Sequence, residues 1–90
     1  MKPMTKTDLS IEKVLNSKTL VDLSTGASGV VTRLRGGKDF AARVIALGLT
    51  IGAEVTVLQN YGRGPVIVTV RGARVALGRG EAQKIQVDLR

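Results

Sequence analysis

Short runs along this chain alternate between hydrophobic and polar residues, which is the pattern of β-strands with one buried face. In the clearest run, Val66, Val68 and Val70 fall on the same face. Gly72-Ala73 follows this run and is predicted to form a tight hairpin turn. Similar runs predict strands over residues 30–34, 53–59, 66–71, 74–77 and 85–89.

One segment has helical periodicity instead. Phe40, Val44 and Leu47 recur at the spacing of one helix face, with Asp39 available as the N-cap and Gly48 as a left-handed stop. A helix this short is not stable alone in water, so it must bury that face against the rest of the domain. A second segment, residues 81–84, predicts about one further helical turn.

The spacing of these elements is typical of a small closed sheet. Five or six short strands with one short α-helix inserted after the first strand predict a mainly β fold, a small SH3-like, partly open barrel. Closure removes sheet edges that a short chain would struggle to protect. We expect residues 19–90 to form this domain and residues 1–18 to be an N-terminal extension, partly disordered or a short helix.

The composition favours a binding module over an enzyme. The 90-residue chain contains no cysteine and no histidine, so disulfides, thiolate or imidazole metal ligands and the usual catalytic bases are absent. Its acidic residues are scattered, which predicts no metal site, no cofactor and no catalytic centre. No apolar run is long enough for a membrane span or a signal peptide, so we expect a cytoplasmic protein. The net charge of +7 suits an acidic protein surface, a nucleic acid or an anionic membrane face.

The ordered set of turns and strands resembles the FeoA family, the small cytoplasmic proteins of ferrous iron uptake. The resemblance covers residues 19–89. It is carried by these blocks: Leu20-x-x-Leu23-x-x-Gly26, Gly29-Val30-Val31, Arg43-x-x-x-Leu47-Gly48-Leu49-x-x-Gly52-x-x-Val55, Pro65-x-x-Val68-x-Val70-x-Gly72, Ala76-Leu77 and Glu81-Ala82-x-x-Ile85-x-Val87. Two positions depart from the family pattern: Ile51 replaces a common proline, and Val44 replaces a common leucine.

The resemblance implies a non-catalytic regulatory protein whose partner is FeoB, the membrane-embedded ferrous iron transporter, at its cytoplasmic G domain. The effect on the transporter stays open between GTP hydrolysis, gate opening and complex assembly. From the residues, we predict partner contacts at Arg43 and Leu47 on one helix face, at Leu49 beside them, and at Tyr61 and Arg63 in a glycine-rich loop. The alternative interpretation is that Leu47 and Leu49 are both buried in the core.

Nucleic-acid binding by a basic SH3-like or OB-like barrel is the second hypothesis. Arg33, Arg35 and Lys38 are close in sequence, as are Arg71, Arg74 and Arg79. Single-strand binders of this shape stack bases on several aromatic side chains, and this chain has one phenylalanine and one tyrosine.

Exposed strand edges would also allow weak homo-oligomerisation or pairing with a partner strand.

Overall fold

The protein is represented by a computed structural model, which describes residues 18–90. The predicted N-terminal extension, except for Lys18, therefore lies outside the described residues. Within this range, six strands, two helices and one 3-10 turn follow one another along the chain. They are β1 (Lys18–Thr19), the 3-10 turn (Leu20–Asp22), β2 (Ser28–Leu34), α1 (Gly37–Ala46), β3 (Glu54–Gln59), β4 (Val66–Val70), β5 (Ala73–Leu77), α2 (Arg79–Ala82) and β6 (Ile85–Leu89).

All six strands belong to one antiparallel sheet in the order β1-β6-β2-β3-β4-β5. The register shifts once between β2 and β6, after Val31, and once between β3 and β4, after Val57. Such bulges bend a strand and increase its twist, which helps a short sheet to curl over one core. The mainly β class and the predicted strand number are confirmed, and the sheet stays open between β1 and β5.

The core is built from the alternation seen in the sequence. The buried side chains are Val55 and Val57 of β3, Val66, Val68 and Val70 of β4, and Ile85 and Val87 of β6. Their neighbours on the opposite face are exposed or half-buried. The side chains that complete the core come from the 3-10 turn region, β2, α1 and β5: Leu20, Leu23, Val31, Phe40, Val44, Leu49, Val75 and Leu77. Aliphatic packing thus replaces the aromatic residues that the chain largely lacks.

Helix α1 begins one turn earlier than a cap at Asp39 would place it. The N-cap is Gly36, without a side-chain hydrogen bond, so the predicted N-cap at Asp39 is wrong. Asp39 lies in the first turn instead, where a carboxylate interacts favourably with the helix dipole. The ring of Phe40 lies directly over Gly36 and occupies the space that a Cβ would need, which explains a glycine at the cap.

The end of α1 is a Schellman motif. Gly48 has a φ of +102°, the left-handed residue predicted from the sequence. Its N–H donates to the Ile45 carbonyl at 2.9 Å, and the Leu49 N–H donates to the Val44 carbonyl at 2.9 Å. These two bonds satisfy helix carbonyls and reverse the chain.

The hairpin between β4 and β5 turns at Arg71-Gly72, not at Gly72-Ala73 as predicted. Both turn residues have positive φ, 54° and 81°, and Val70 pairs with Ala73 across the turn. This is the backbone of a two-residue hairpin loop whose twist matches the strands. The sequence prediction missed it because an arginine rarely adopts a left-handed conformation.

No helix among residues 18–90 is long and apolar enough to cross a membrane.

The turn at Gly48 predicts a measurable stability difference. Gly48→Ala should lower the free energy of unfolding by about 1–2 kcal/mol, because an alanine is strained at positive φ, whereas its Cβ would make only ordinary van der Waals contacts with Val70 and Arg71. Gly80→Ala is the matched control: it has ordinary φ and open surroundings in helix α2, and we expect a gain of about 0.4–1 kcal/mol. Urea denaturation of both variants tests the pair. Equal effects would contradict this account of the turn.

Candidate functional site

Helix α1 contacts the domain with a narrow face and exposes a second apolar face. Phe40 and Val44 are its buried side chains, whereas Ile45 and Leu47 project into solvent together with Ile51 in the following turn. We call Ile45, Leu47 and Ile51 the helix-end patch. Exposed large apolar side chains concentrated in one segment are typical of interaction sites, whereas single scattered ones are not.

The Schellman motif decides which leucine reaches the surface. The chain reverses at Gly48, so the side chains on either side of it point in different directions. Leu49 is 0% exposed and belongs to the core, whereas Leu47 is 43% exposed. The prediction that Leu49 contacts a partner is therefore wrong, because a fully buried side chain has no surface to offer. The alternative that Leu47 is buried is also wrong.

Arg71 borders the helix-end patch from the tip of the β4–β5 hairpin. Its Cδ lies beside Gly48, and its Nη2 donates to Thr50 Oγ1 at 3.4 Å. The hairpin tip and the helix end are therefore neighbours. This contact brings a cation to the edge of an apolar surface, although the sequence separates the two segments by about 20 residues.

Arg43 of α1 contacts helix α2. Its guanidinium forms an ion pair with Glu81, and its Cζ lies 5.8 Å from the centre of the Phe40 ring. Lys84 Nζ lies 5.4 Å from the same ring. The side chain of Arg43 is still 55% exposed, so it both joins α1 to α2 and remains open to a partner.

Glu81 is held as a carboxylate by two neighbours. The Gly78 N–H donates to Oε1 at 3.0 Å, and Arg43 contacts Oε2. The hydrogen bond from Gly78, followed by that from Arg43, lowers the pKa of the Glu81 carboxyl below its ordinary value of 4.5. The charged form of Glu81 thus fixes the start of α2 against α1.

Asn60 organises the opposite end of strand β4. Its Nδ2 donates to the carbonyls of Val21 at 3.0 Å and Leu23 at 2.8 Å, and its Oδ1 accepts from Arg79 Nη1 at 3.0 Å and from the Gly62 N–H at 3.2 Å. All four side-chain hydrogen-bonding positions of the amide are therefore used. One side chain joins the N-terminal loop, the β3–β4 loop and helix α2.

Tyr61 and Arg63 lie in the β3–β4 loop that Asn60 anchors. Arg79 Nη1 also donates to the Gly64 carbonyl at 3.3 Å, so the loop is tied at both ends. Tyr61 is 73% exposed and Arg63 is exposed. We call Tyr61 and Arg63 the tyrosine loop.

The structure separates the predicted contact residues into two surfaces. The tyrosine loop precedes β4 and the hairpin tip follows it, so the two lie at opposite ends of a strand about 13 Å long. Leu47 lies with the hairpin tip through Gly48 and Arg71. Tyr61 and Arg63 therefore lie at the other end of β4 from Leu47.

Sequence reasoning missed four residues that shape these surfaces. Ile45 and Ile51 complete the helix-end patch, Arg71 borders it, and Asn60 fixes the tyrosine loop. For Ile51, the following Gly52 was a detectable sequence signal, because a glycine favours a turn with positive φ at that position. The structure has this turn: the Ala53 N–H donates to the Thr50 carbonyl, and Gly52 has a φ of 91°. The hydrogen bonds of Asn60 with Val21, Leu23 and Thr25 join residues 35–39 positions apart, which no local sequence pattern encodes.

Within residues 18–90, no group of three or more acidic side chains is placed to hold a metal ion.

Comparisons with known proteins agree with this fold. The profile of the FeoA domain matches residues 18–89. A Methanocaldococcus jannaschii protein named as an Fe(2+) transport protein A is 35% identical over 63 residues, which cover 70% of this chain and 76% of that protein. A Porphyromonas gingivalis fusion of Fe(2+) transport protein A with the Fe(2+) transporter FeoB is 35% identical over 71 residues, which cover 78% of this chain and 8% of the fusion.

Solved structures give the same result. The crystal structure of an iron uptake regulatory protein, FeoA, superimposes with a TM-score of 0.78 at 32% identity, covering 82% of this chain and 99% of that chain. Stenotrophomonas maltophilia FeoA complexed with zinc, described as a procaryotic SH3 domain protein, has a TM-score of 0.69 at 32% identity and covers 79% of this chain and 89% of that chain.

The fold therefore defines a small SH3-like barrel, as the strand pattern predicted. More narrowly, the chain belongs to the FeoA family, which confirms the resemblance found in the sequence.

The Asn60 contacts predict a large cost of removing one amide. Asn60→Ala should lower the free energy of unfolding by about 2 kcal/mol or more, because it leaves the Val21 and Leu23 carbonyls without their donor and frees Arg79. Tyr61→Ala, at the adjacent exposed position, should change it by less than about 0.5 kcal/mol. Chemical denaturation compares the two. A similar small effect of both would contradict the role of Asn60.

The Glu81 contacts predict a pH dependence. A lowered folded pKa means that Glu81 stabilises the fold above its ordinary value of 4.5, and that this contribution disappears as the pH falls through the folded pKa. Glu81→Gln should therefore be less stable than the parent near neutral pH, with the difference shrinking as the pH falls below 4.5. Thermal unfolding across pH measures this. Asp88→Asn, an exposed charge removal on β6, is the control, and a pH-independent difference for Glu81→Gln would contradict the prediction.

Proposed function

We propose that this protein is a non-catalytic, cytoplasmic accessory protein of ferrous iron uptake, which docks on the cytoplasmic part of a FeoB-type transporter through the helix-end patch. The observation that carries the proposal is the exposed apolar surface of Ile45, Leu47 and Ile51 beside Arg71. The natural fusion of a related FeoA sequence to FeoB supports the choice of partner, since covalent joining of two proteins suits a pair that acts together.

The chemistry of the helix-end patch suits a protein surface. Its three aliphatic side chains can enter a groove, where desolvated apolar anchors dominate binding energy. Arg71 at its edge has an aliphatic stem and a guanidinium, and arginine is enriched in protein interfaces. We expect Leu47 to be the central anchor because Ile45 and Ile51 lie on either side of it in the chain.

Arg43 and the tyrosine loop are proposed as secondary contacts. Arg43 stays half-exposed beside Glu81 and can reach an acidic group of the partner. Tyr61 and Arg63 project from a loop that Asn60 and Arg79 hold in place, which lowers the entropy lost on binding. The tyrosine loop lies at the other end of β4 from the hairpin tip, so a partner must span the domain to touch both this loop and the helix-end patch.

The nucleic-acid hypothesis is less well supported by the structure. The ring of Phe40 is packed between Gly36 and the core, which leaves Tyr61 as the exposed aromatic side chain. A stacking platform for single strands needs several such rings.

The docking proposal is tested by a charge placed at its centre. Leu47→Asp should weaken binding to the cytoplasmic domain of the FeoB protein from the same organism by about a hundredfold or more, because the new carboxylate must be desolvated in an apolar contact. Leu58→Asp is the matched control: Leu58 is 39% exposed but lies on the outer face of the sheet. Calorimetry with and without guanine nucleotide measures both affinities.

Circular dichroism and denaturation of both variants separate docking from folding. Loss of binding by the folded Leu47→Asp protein alone supports the helix-end patch. Equal loss with Leu58→Asp, or unchanged binding with Leu47→Asp, would refute it. If Tyr61→Ala alone abolishes binding, the partner docks at the tyrosine loop instead.

A further inference from the structure

Strand β5 is an edge strand whose outer side has no strand partner among residues 18–90. It is the last strand of the sheet and pairs with β4 only. In the two-residue hairpin, Val70 and Ala73 form the hydrogen-bonded pair next to the turn, and such pairs alternate along the ladder. The backbone N–H and C=O groups of Arg74 and Ala76 therefore point away from β4.

These outward groups are open to another chain. Arg74 and Ala76 are both exposed, and neither takes part in a backbone hydrogen bond outside the β4–β5 ladder within residues 18–90. The ladder has no bulge and β5 contains no proline, two devices that proteins use to protect an edge. The small side chains of Ala73 and Ala76 leave room for another chain beside the backbone of β5.

The charge around this edge selects the occupant. Residues 66–80 contain three arginines and no acidic residue. Arg71 lies at one end of β5, Arg74 lies within it, and Arg79 follows it. A second copy of the chain would bring the same arginines together, and each copy carries a net charge of +7. Charge therefore disfavours self-pairing and favours an acidic segment.

We propose that the β5 edge binds an extended acidic segment of a partner protein, which adds a strand to the sheet. Main-chain hydrogen bonds to Arg74 and Ala76 would hold the segment, and its acidic side chains would face Arg74. Its alternate side chains would lie on the side of Val75, at the margin of the core, and should be apolar. The preferred segment thus alternates acidic and apolar residues. This proposal does not depend on the docking of FeoB at the helix-end patch.

The test uses the full chain and a short synthetic peptide in which glutamate and valine alternate. Amide NMR titration should show shifts and slowed hydrogen exchange at Arg74 and Ala76. Arg74→Glu should weaken binding about tenfold or more and should favour a peptide in which lysine replaces glutamate. Arg63→Glu is the matched control, because it changes net charge equally in an exposed loop at the other end of β4.

A backbone variant separates strand addition from simple charge attraction. Ala76→Pro removes an N–H that points away from β4, so the fold should persist while peptide binding is lost. If Ala76→Pro unfolds the chain, N-methylation of the peptide at alternate residues replaces it, with the same expected loss. Binding unchanged by Arg74→Glu, or weakened equally by Arg63→Glu, would overturn the proposal, as would concentration-dependent protection of the β5 amides without peptide, which would indicate self-pairing.

Discussion

The burial of Phe40 and Val44 is the interaction on which the functional surface of this protein depends. A helix of ten residues does not persist alone in water, so α1 exists because these two side chains enter the core. Gly36 gives the Phe40 ring its place, and the Schellman bonds at Gly48 return the chain to the core at Leu49. The anchoring face is narrow. Ile45 and Leu47 are therefore left on the solvent side.

The barrel itself has little surface to spare for recognition. Most of its valines are buried in the core, and β2 and β3 carry the hydroxyls of Ser28 and Thr56, which bond to each other at 2.8 Å. Recognition therefore falls to the segments that join the strands. The Asn60 amide fixes those at one end of β4, and Arg71 joins those at the other end. The domain thus presents two separate surfaces, each held by side-chain hydrogen bonds.

The sequence predicted most of the fold because a period of two residues determines which face of a strand is buried. The strands, the stop at Gly48 and the short turn of α2 follow from local rules of that kind. Local rules failed where a longer-range contact decided the outcome. Leu47 fits the helical stripe of Phe40 and Val44, but the helix ends at Ala46 and Leu49 fills the core position instead. Arg71 adopts a left-handed turn that its residue type disfavours.

The distribution of charge explains how these surfaces can work together. Among residues 18–90, Asp22 accepts a hydrogen bond from the Thr19 backbone and Glu81 is paired with Arg43, so two of the few acids serve the fold. That ion pair is the one salt bridge within this range, and most arginines keep their charge free for a partner. Long-range attraction raises the rate of association with an acidic surface, whereas desolvated apolar anchors, the role proposed for Leu47, slow dissociation. The excess of arginine and the exposed aliphatic side chains thus act on different steps of binding, and neither requires a reactive group.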